Sequence, residues 1–251
     1  MKILTHILTS ILMISYANEK IYNIQLYYSK LNNNNNSNFL FLNFKIEQDW
    51  HIYWLNPGDA GYPTQIKITS NESINYKILY PTPKYYYDDG IYSIGYDTEV
   101  TFPIIIDNIN DLEKLNLSLE INALACNEIC EPVYIKQNIN HKNLIFTENI
   151  SEFFKTIPIE NDNIKTTYKD DANFTKIIIE NIPNDLSSIK NIEFYPLTPN
   201  LFTYSLKTNY TIYNQQVLIT MNKNPLNTNP IKIDGILAIQ TNQSTYYFQI
   251  K

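Results

Sequence analysis

From Leu115 to Ala125 the chain alternates with a period of two. Leu115, Leu117, Leu119, Ile121, Ala123 and Ala125 fall on odd positions, while Asn116, Ser118, Glu120 and Asn122 fall on even ones. Successive side chains of a strand point to opposite faces, so this stretch is a strand with an odd, buried face. It runs directly into Cys126-Asn127-Glu128-Ile129-Cys130-Glu131-Pro132, which holds the only two cysteines of 251 residues. Beyond them Val133, Ile135 and Ile139 are again odd and apolar. A hairpin with Asn127-Glu128-Ile129 as its loop sets 126 opposite 130, 123 opposite 133 and 121 opposite 135. The two sulfurs then share the non-core face, across an antiparallel pair whose Cα atoms lie about 4.5–5.5 Å apart, inside disulfide range. The phase predicts that both point outward.

The rest of the chain continues the β pattern. Tyr22–Lys30 and Phe39–Glu47 are rich in β-branched and aromatic residues. The second sets Leu40, Leu42, Phe44 and Ile46 against Asn43, Lys45 and Glu47, the mark of a half-buried strand. The polar tract Leu31–Asn38 joins them as a loop. Four of the five glycines (58, 61, 90 and 95) lie between Trp50 and Tyr96, and both tryptophans, Trp50 and Trp54, open that window. Its turns and aromatics suit either a core plug or a shaped surface beside a site. Gln65–Thr69 is a further strand, Tyr80-Pro81-Thr82-Pro83 an extended segment, Tyr85–Gly90 a turn, and Val100–Ile106 a strand that Pro103 assigns to an edge or a bulge. From about Ile150 the pattern restarts. Ser151–Ile157 is a short helix or linker, and Thr175–Glu180, Ile192–Tyr195, Thr211–Thr220, Ile231–Ile239 and Ser244–Lys251 are strands. The fold class is all-β, with no named chemistry in the C-terminal half.

The N-terminus carries the pattern of an export signal. Lys2 precedes the mostly apolar Ile3–Ile14, and Ser15-Tyr16-Ala17 supplies small residues for cleavage after Ala17. No later run reaches transmembrane length, so the expectation is a mature chain in the periplasm with no membrane span. Without Lys2, 18 cations face 25 acids, and every cation is Lys. Lacking Arg forks and a basic surface, the chain is a poor partner for nucleic acid.

Hydrolytic chemistry has no anchor: there is no Gly-x-Ser-x-Gly elbow, and neither His51 nor His141 has an evident nucleophile. The two cysteines with His51 or His141 supply three soft ligands, enough for Cu(I) but short of a closed zinc site. A thioredoxin-type Cys-x-x-Cys at a helix start is also absent. Here three residues intervene in a β context, and Glu128 and Glu131 disfavour a thiolate. The pair therefore suits a relay opened by a more reactive partner thiolate. The alternatives are a non-catalytic copper-binding or adaptor domain, and a structural module with a permanent disulfide. A loop of three residues stabilises little through chain entropy, which weighs against the last.

Trp50-His51-x-Tyr53-Trp54-x-Asn56-Pro57-Gly58-Asp59-Ala60-Gly61, Tyr80-Pro81-x-Pro83, Ser93-Ile94-Gly95-Tyr96 and the Cys126–Pro132 stretch occur in this order. Together they resemble the periplasmic N-terminal region of ScsB-type members of the DsbD family of thiol:disulfide reductases, the disulfide bond corrector domain. The resemblance covers about residues 20–145, with thinner similarity to a second β-domain beyond. It implies an immunoglobulin-like β-sandwich followed by a smaller β-sandwich-like domain, divided as 1–17, 18–148 and 149–251. It implies that Cys126 and Cys130 are the redox pair, with Trp54, Asn56, Pro57, Gly58, Asp59, Gly61, Tyr96 and Pro132 as supporting residues and neither metal nor other cofactor. The partners implied are a membrane thiol reductase or thioredoxin-like protein on one side and oxidised periplasmic proteins on the other. With no electron conduit and no thioredoxin-like domain of its own, the chain is expected to be a component rather than a complete reductase.

Overall fold

Alternating β-branched and aromatic residues leave this chain few ways to bury apolar surface other than stacked sheets. A computed structural model describes residues 21–30, 38–107, 116–140, 142, 144–182, 188–204, 208–213, 216–227 and 232–251. The expected export signal and its cleavage site, His141 and most of the Leu31–Asn38 tract lie outside these residues.

The first half contains β1 (Tyr22–Lys30), β2 (Asn38–Ile46), β3 (His51–Gly58), β4 (Gln65–Ser70), β5 (Asn75–Ile78) and β6 (Lys84–Asp88). It continues with β7 (Ile91–Asp97), β8 (Glu99–Asp107), β9 (Leu117–Cys126), β10 (Cys130–Ile139) and β11 (Leu144–Phe146). One sheet runs β11-β1-β2-β8-β5; the other runs β10-β9-β3-β7-β6, with β4 also paired to β9. Their facing residues, among them Leu40, Leu42, Phe44, Phe102 and Ile104 against Ile52, Trp54, Ile94, Leu119 and Ile121, form one core. This is the immunoglobulin-like sandwich.

The second half opens with α1 (Ser151–Phe154) and contains β12 (Ile159–Glu160), β13 (Lys165–Asp170), β14 (Phe174–Glu180) and β15 (Ile189–Pro196). It ends with β16 (Phe202–Thr203), β17 (Asn209–Tyr213), β18 (Gln216–Lys223), β19 (Gly235–Thr241) and β20 (Thr245–Ile250). A sheet ordered β12-β20-β19-β15 packs on a second one, β13-β14-β18-β16 with β17 on β18, around Ile177, Phe194, Ile219, Leu237 and Phe248. The opposite face of the first of these sheets is also covered: Tyr195, Ile236 and Ala238 belong to the core of the first half. Hence Gly235 to Ile239 are buried without interruption, as expected for a strand covered on both faces.

Several local expectations change on contact with tertiary structure. The odd face of β2 is not open, because Phe153 and Phe154 of α1 pack on Phe41, with ring centroids 4.6 and 5.9 Å away. On the same face Asn43 is buried and donates to Glu99 Oε1 at 2.7 Å and Thr101 Oγ1 at 2.8 Å. Tyr85–Tyr87 belong to a strand, and the β6–β7 turn is confined to Asp89 and Gly90, both at positive φ. Thr211–Thr220 is not one strand but parts of two, β17 and β18, paired antiparallel with Tyr213 opposite Gln216. Pro103 sits inside its sheet, opposite Phe41 of β2. Its carbonyl accepts from Leu79 just beyond the end of β5, so its missing N–H faces that side and leaves the ladder to β2 intact.

Candidate functional site: the cysteine hairpin

The register of β9 and β10 follows the sequence phase. Cys126 pairs with Cys130, Ala123 with Val133 and Ile121 with Ile135. Leu117, Leu119, Ile121, Ala123 and Ala125 are all buried, as are Val133 and Ile139. The three-residue loop is closed by the Asn127 N–H donating to the Ile129 carbonyl and by the Ile129 N–H donating to Asn127 Oδ1, each at 2.9 Å. This explains an Asn at the first loop position, since its side chain mimics a backbone turn. Cys126 and Cys130 are joined by a disulfide, with Cα atoms 4.1 Å apart.

The two sulfur-bearing residues do not share an environment. Cys130 is exposed at the start of β10, an edge strand paired only with β9, and exposed Ile129 and Tyr134 lie near it in sequence. Cys126 is only 2% exposed. The expectation that both point to solvent is therefore corrected for Cys126. The cause is non-local: the last residues of β9 are flanked on their other side by β3, with His51 opposite Cys126 and Ile52 opposite Ala125. Opposed residues of an antiparallel pair carry their side chains on one face.

His51 is in turn opposite Asp97 of β7. One row thus crosses four strands of the sheet: Asp97, His51, Cys126, Cys130. The His51 ring stacks on Tyr86 of β6 (centroids 4.9 Å, planes 11° apart) and meets Tyr53 edge-on at 5.0 Å. Burial lowers the His51 pKa, with the charges of Asp88 and Asp97 working the other way, so the neutral imidazole is favoured. Burial alone would raise the Asp97 carboxyl. The Lys84 ammonium, 2.7 Å from it, holds it below its ordinary value.

Residues 25–140 match the family model for the N-terminal part of the thiol:disulfide interchange protein DsbD. That stretch is a DsbD N-terminal domain. In fold, the chain as a whole is similar to the crystal structure of the N-terminal periplasmic domain of ScsB from Proteus mirabilis. The TM-score is 0.70 and the identity 14%, over 94% of this chain and 95% of that one. No curated protein matches the chain. Among the described residues no helix is long and apolar enough to cross a membrane, and no group of three or more His, Cys, Asp and Glu side chains is arranged to hold a metal ion.

The other residues expected to support the pair in this DsbD-type domain gather elsewhere. Asn56 is fully buried and its Nδ2 donates across to the C-terminal half, to the Pro196 carbonyl at 2.8 Å and the Tyr204 hydroxyl at 2.6 Å. Its Oδ1 accepts from the Gly58 N–H at 3.1 Å, which spans Pro57. Gly58 has φ +89°, and a Cβ there would lie 2.6 Å from the Tyr92 carbonyl oxygen, so no other residue fits. The Asp59 N–H donates to that same carbonyl at 2.8 Å. A Cβ on Gly61 would strike the Tyr53 ring at 2.2 Å. Trp54 is 1% exposed in the core. Tyr96 is buried and donates to the Pro81 carbonyl at 2.8 Å. Tyr85, one residue from the His51 stack, bonds the Phe194 carbonyl at 2.6 Å and stacks on Tyr195 at 4.8 Å. Of the supporting set only Pro132, exposed and opposite Leu124, is on the hairpin itself. Two residues were not assigned to the interchange chemistry from sequence: His51, opposite Cys126 and considered only as a metal ligand, and Tyr86, which stacks on His51. The Trp50–Gly61 motif contained the first; only the β3–β9 register places it.

Proposed function

We propose that this chain passes reducing equivalents between a membrane or thioredoxin-like thiol protein and oxidised proteins of the periplasm, with Cys126 and Cys130 as its exchange centre. The observation that carries the reading is a disulfide whose one sulfur-bearing residue lies at the open edge of a hairpin and whose other is buried behind it. Direct attack is then confined to Cys130. A partner thiolate bonds to the Cys130 sulfur, the 126–130 bond breaks, and Cys126 leaves as the thiolate; a second partner thiol releases Cys130 and completes a two-electron reduction. In the discharge direction the Cys130 thiolate attacks the client disulfide, and Cys126 then closes on Cys130 to expel the reduced client. Exposed Ile129 and Tyr134 give a partner an apolar contact around the reacting sulfur. The exchange unit is residues 18–148, and 149–251 is a second, smaller sandwich that braces it.

Trapping tests the reading. Cys126→Ala leaves Cys130 without its resolving thiol and is expected to accumulate mixed disulfides with partners in the periplasm, while Cys130→Ala accumulates few. If neither variant captures any partner through a disulfide, the relay is wrong.

A further inference from the structure

The imidazole of His51 has no role in the scheme above, yet it stands directly across the ladder from the buried cysteine. Its Nε2 is buried and has no hydrogen-bond partner. A buried imidazole nitrogen left unpaired costs free energy unless something else uses it. The ring cannot move far, being held between Tyr86 and Tyr53 at about 5 Å each. On the other side of His51 stands Asp97, whose carboxylate is tied to Lys84. Opposed side chains in such a pair have Cβ atoms about 4.5–5.5 Å apart, so once the disulfide opens, the Cys126 thiol and the imidazole lie within reach of each other.

We propose that His51 is the proton acceptor for Cys126 in the ring-closing step of thiol exchange, a role that rests on the interchange reading given above. In that step the protein holds a mixed disulfide between Cys130 and its client. Cys126 is a buried thiol that no bulk base approaches easily. As its sulfur bonds to Cys130, the Cys130–client bond breaks, the client leaves as a thiolate, and the Cys126 proton passes to the neutral imidazole. In the reverse direction the imidazole first takes a proton from water and, as the imidazolium, gives it to the Cys126 thiolate once that has left Cys130. The groups facing His51 are Tyr53 on its own strand, Tyr86 and Asp88 from β6, Asp97 from β7 and Cys126 from β9. Burial keeps the resting ring neutral, as an acceptor must be, and the two carboxylates stabilise the cation formed during the step.

The test uses the full chain, reduced, with the aromatic disulfide 5,5′-dithiobis(2-nitrobenzoate) as client. Two thionitrobenzoate ions are released in sequence, the first by attack of Cys130 and the second when Cys126 closes. H51F, which keeps an aromatic ring against Tyr86, and H51Q, which keeps a polar group, are compared with the parent chain. Near neutral pH the second release is expected to slow about ten-fold in both variants, below the ceiling of about 30-fold set by an unassisted thiol of ordinary pKa. The first release should stay within about two-fold, and the pH profile of the second should move up toward the thiol's own titration. A second release that slows less than about two-fold in both variants overturns the proposal, as does slowing of both releases alike. Because no cellular partner takes part, failure here leaves the trapping result standing, and failure of trapping leaves this readout unaffected.

Discussion

At its first residue β3 puts His51 opposite Cys126, and near its other end it puts Asn56 at the junction with the C-terminal half. The end proposed for thiol exchange depends on few residues, one row across four strands, with an exposed cysteine at its rim. The structural end consumes most of the conspicuous sequence: a buried Trp, a buried Asn with hydrogen bonds to Pro196, Tyr204 and Gly58 among its partners, and glycines at positive φ with no room for a side chain. A dense local motif thus need not mark the reacting centre. Here it marks a joint, and the joint holds the strand on which the centre depends.

Three substitutions probe whether the two ends are separable, taken from the largest expected effect downward. Trp54→Ala should lower stability by about 3–5 kcal/mol in urea unfolding, since it empties a fully packed site. The folded fraction should still exchange thiols within about two-fold of the parent rate. A proportional loss of exchange would show that the ends are one unit. Asn56→Ala strands the Tyr204 hydroxyl and the Pro196 carbonyl and should cost about 1–3 kcal/mol. Its effect should largely vanish when Tyr204 is already Phe, if the Asn56–Tyr204 bond is the main term.

The smallest effect lies at the other end and depends on pH. The unfolded chain binds a proton at His51 near pH 6.5, the folded chain only at a lower pH. As pH falls through that interval the unfolded state takes up the proton first, so stability present above about 6.5 is lost on acidification. The described carboxylates with lowered pKa, Asp97, Asp170 and Glu160, also lose stability on acidification, but only below their ordinary values near 3.8–4.5. Unfolding midpoints measured between about pH 7 and 5 should therefore slope in the parent and flatten in H51F. An unchanged slope would mean that His51 is not the group titrating there.

How much of this was legible in sequence follows from the range of the interactions. The hairpin register was readable once Asn127-Glu128-Ile129 was taken as the loop, because that choice sets Ile121 against Ile135 and Ala123 against Val133, as observed. The burial of Cys126 was not, since it depends on a strand 75 positions earlier, His51 against Cys126. The same holds for Phe41, whose cover is α1, and for Pro103, whose neighbour strand ends one residue short of it. The family motifs predicted the sandwich. They did not show that Asn56 faces Pro196, because that contact joins residues 140 apart.

The sheet that carries β19 has a further consequence for biosynthesis. Its outer face, with Tyr195, Ile236 and Ala238, has water as its only alternative to the first half. Chains emerge N-terminus first, and domains fold largely as they emerge. In that order the receiving surface around Trp54 and Asn56 is complete before β19 exists, so the sticky face is covered as it forms. A circularly permuted chain that made the C-terminal half first would hold the same contacts at equilibrium, yet expose that face during synthesis and lose yield to aggregation.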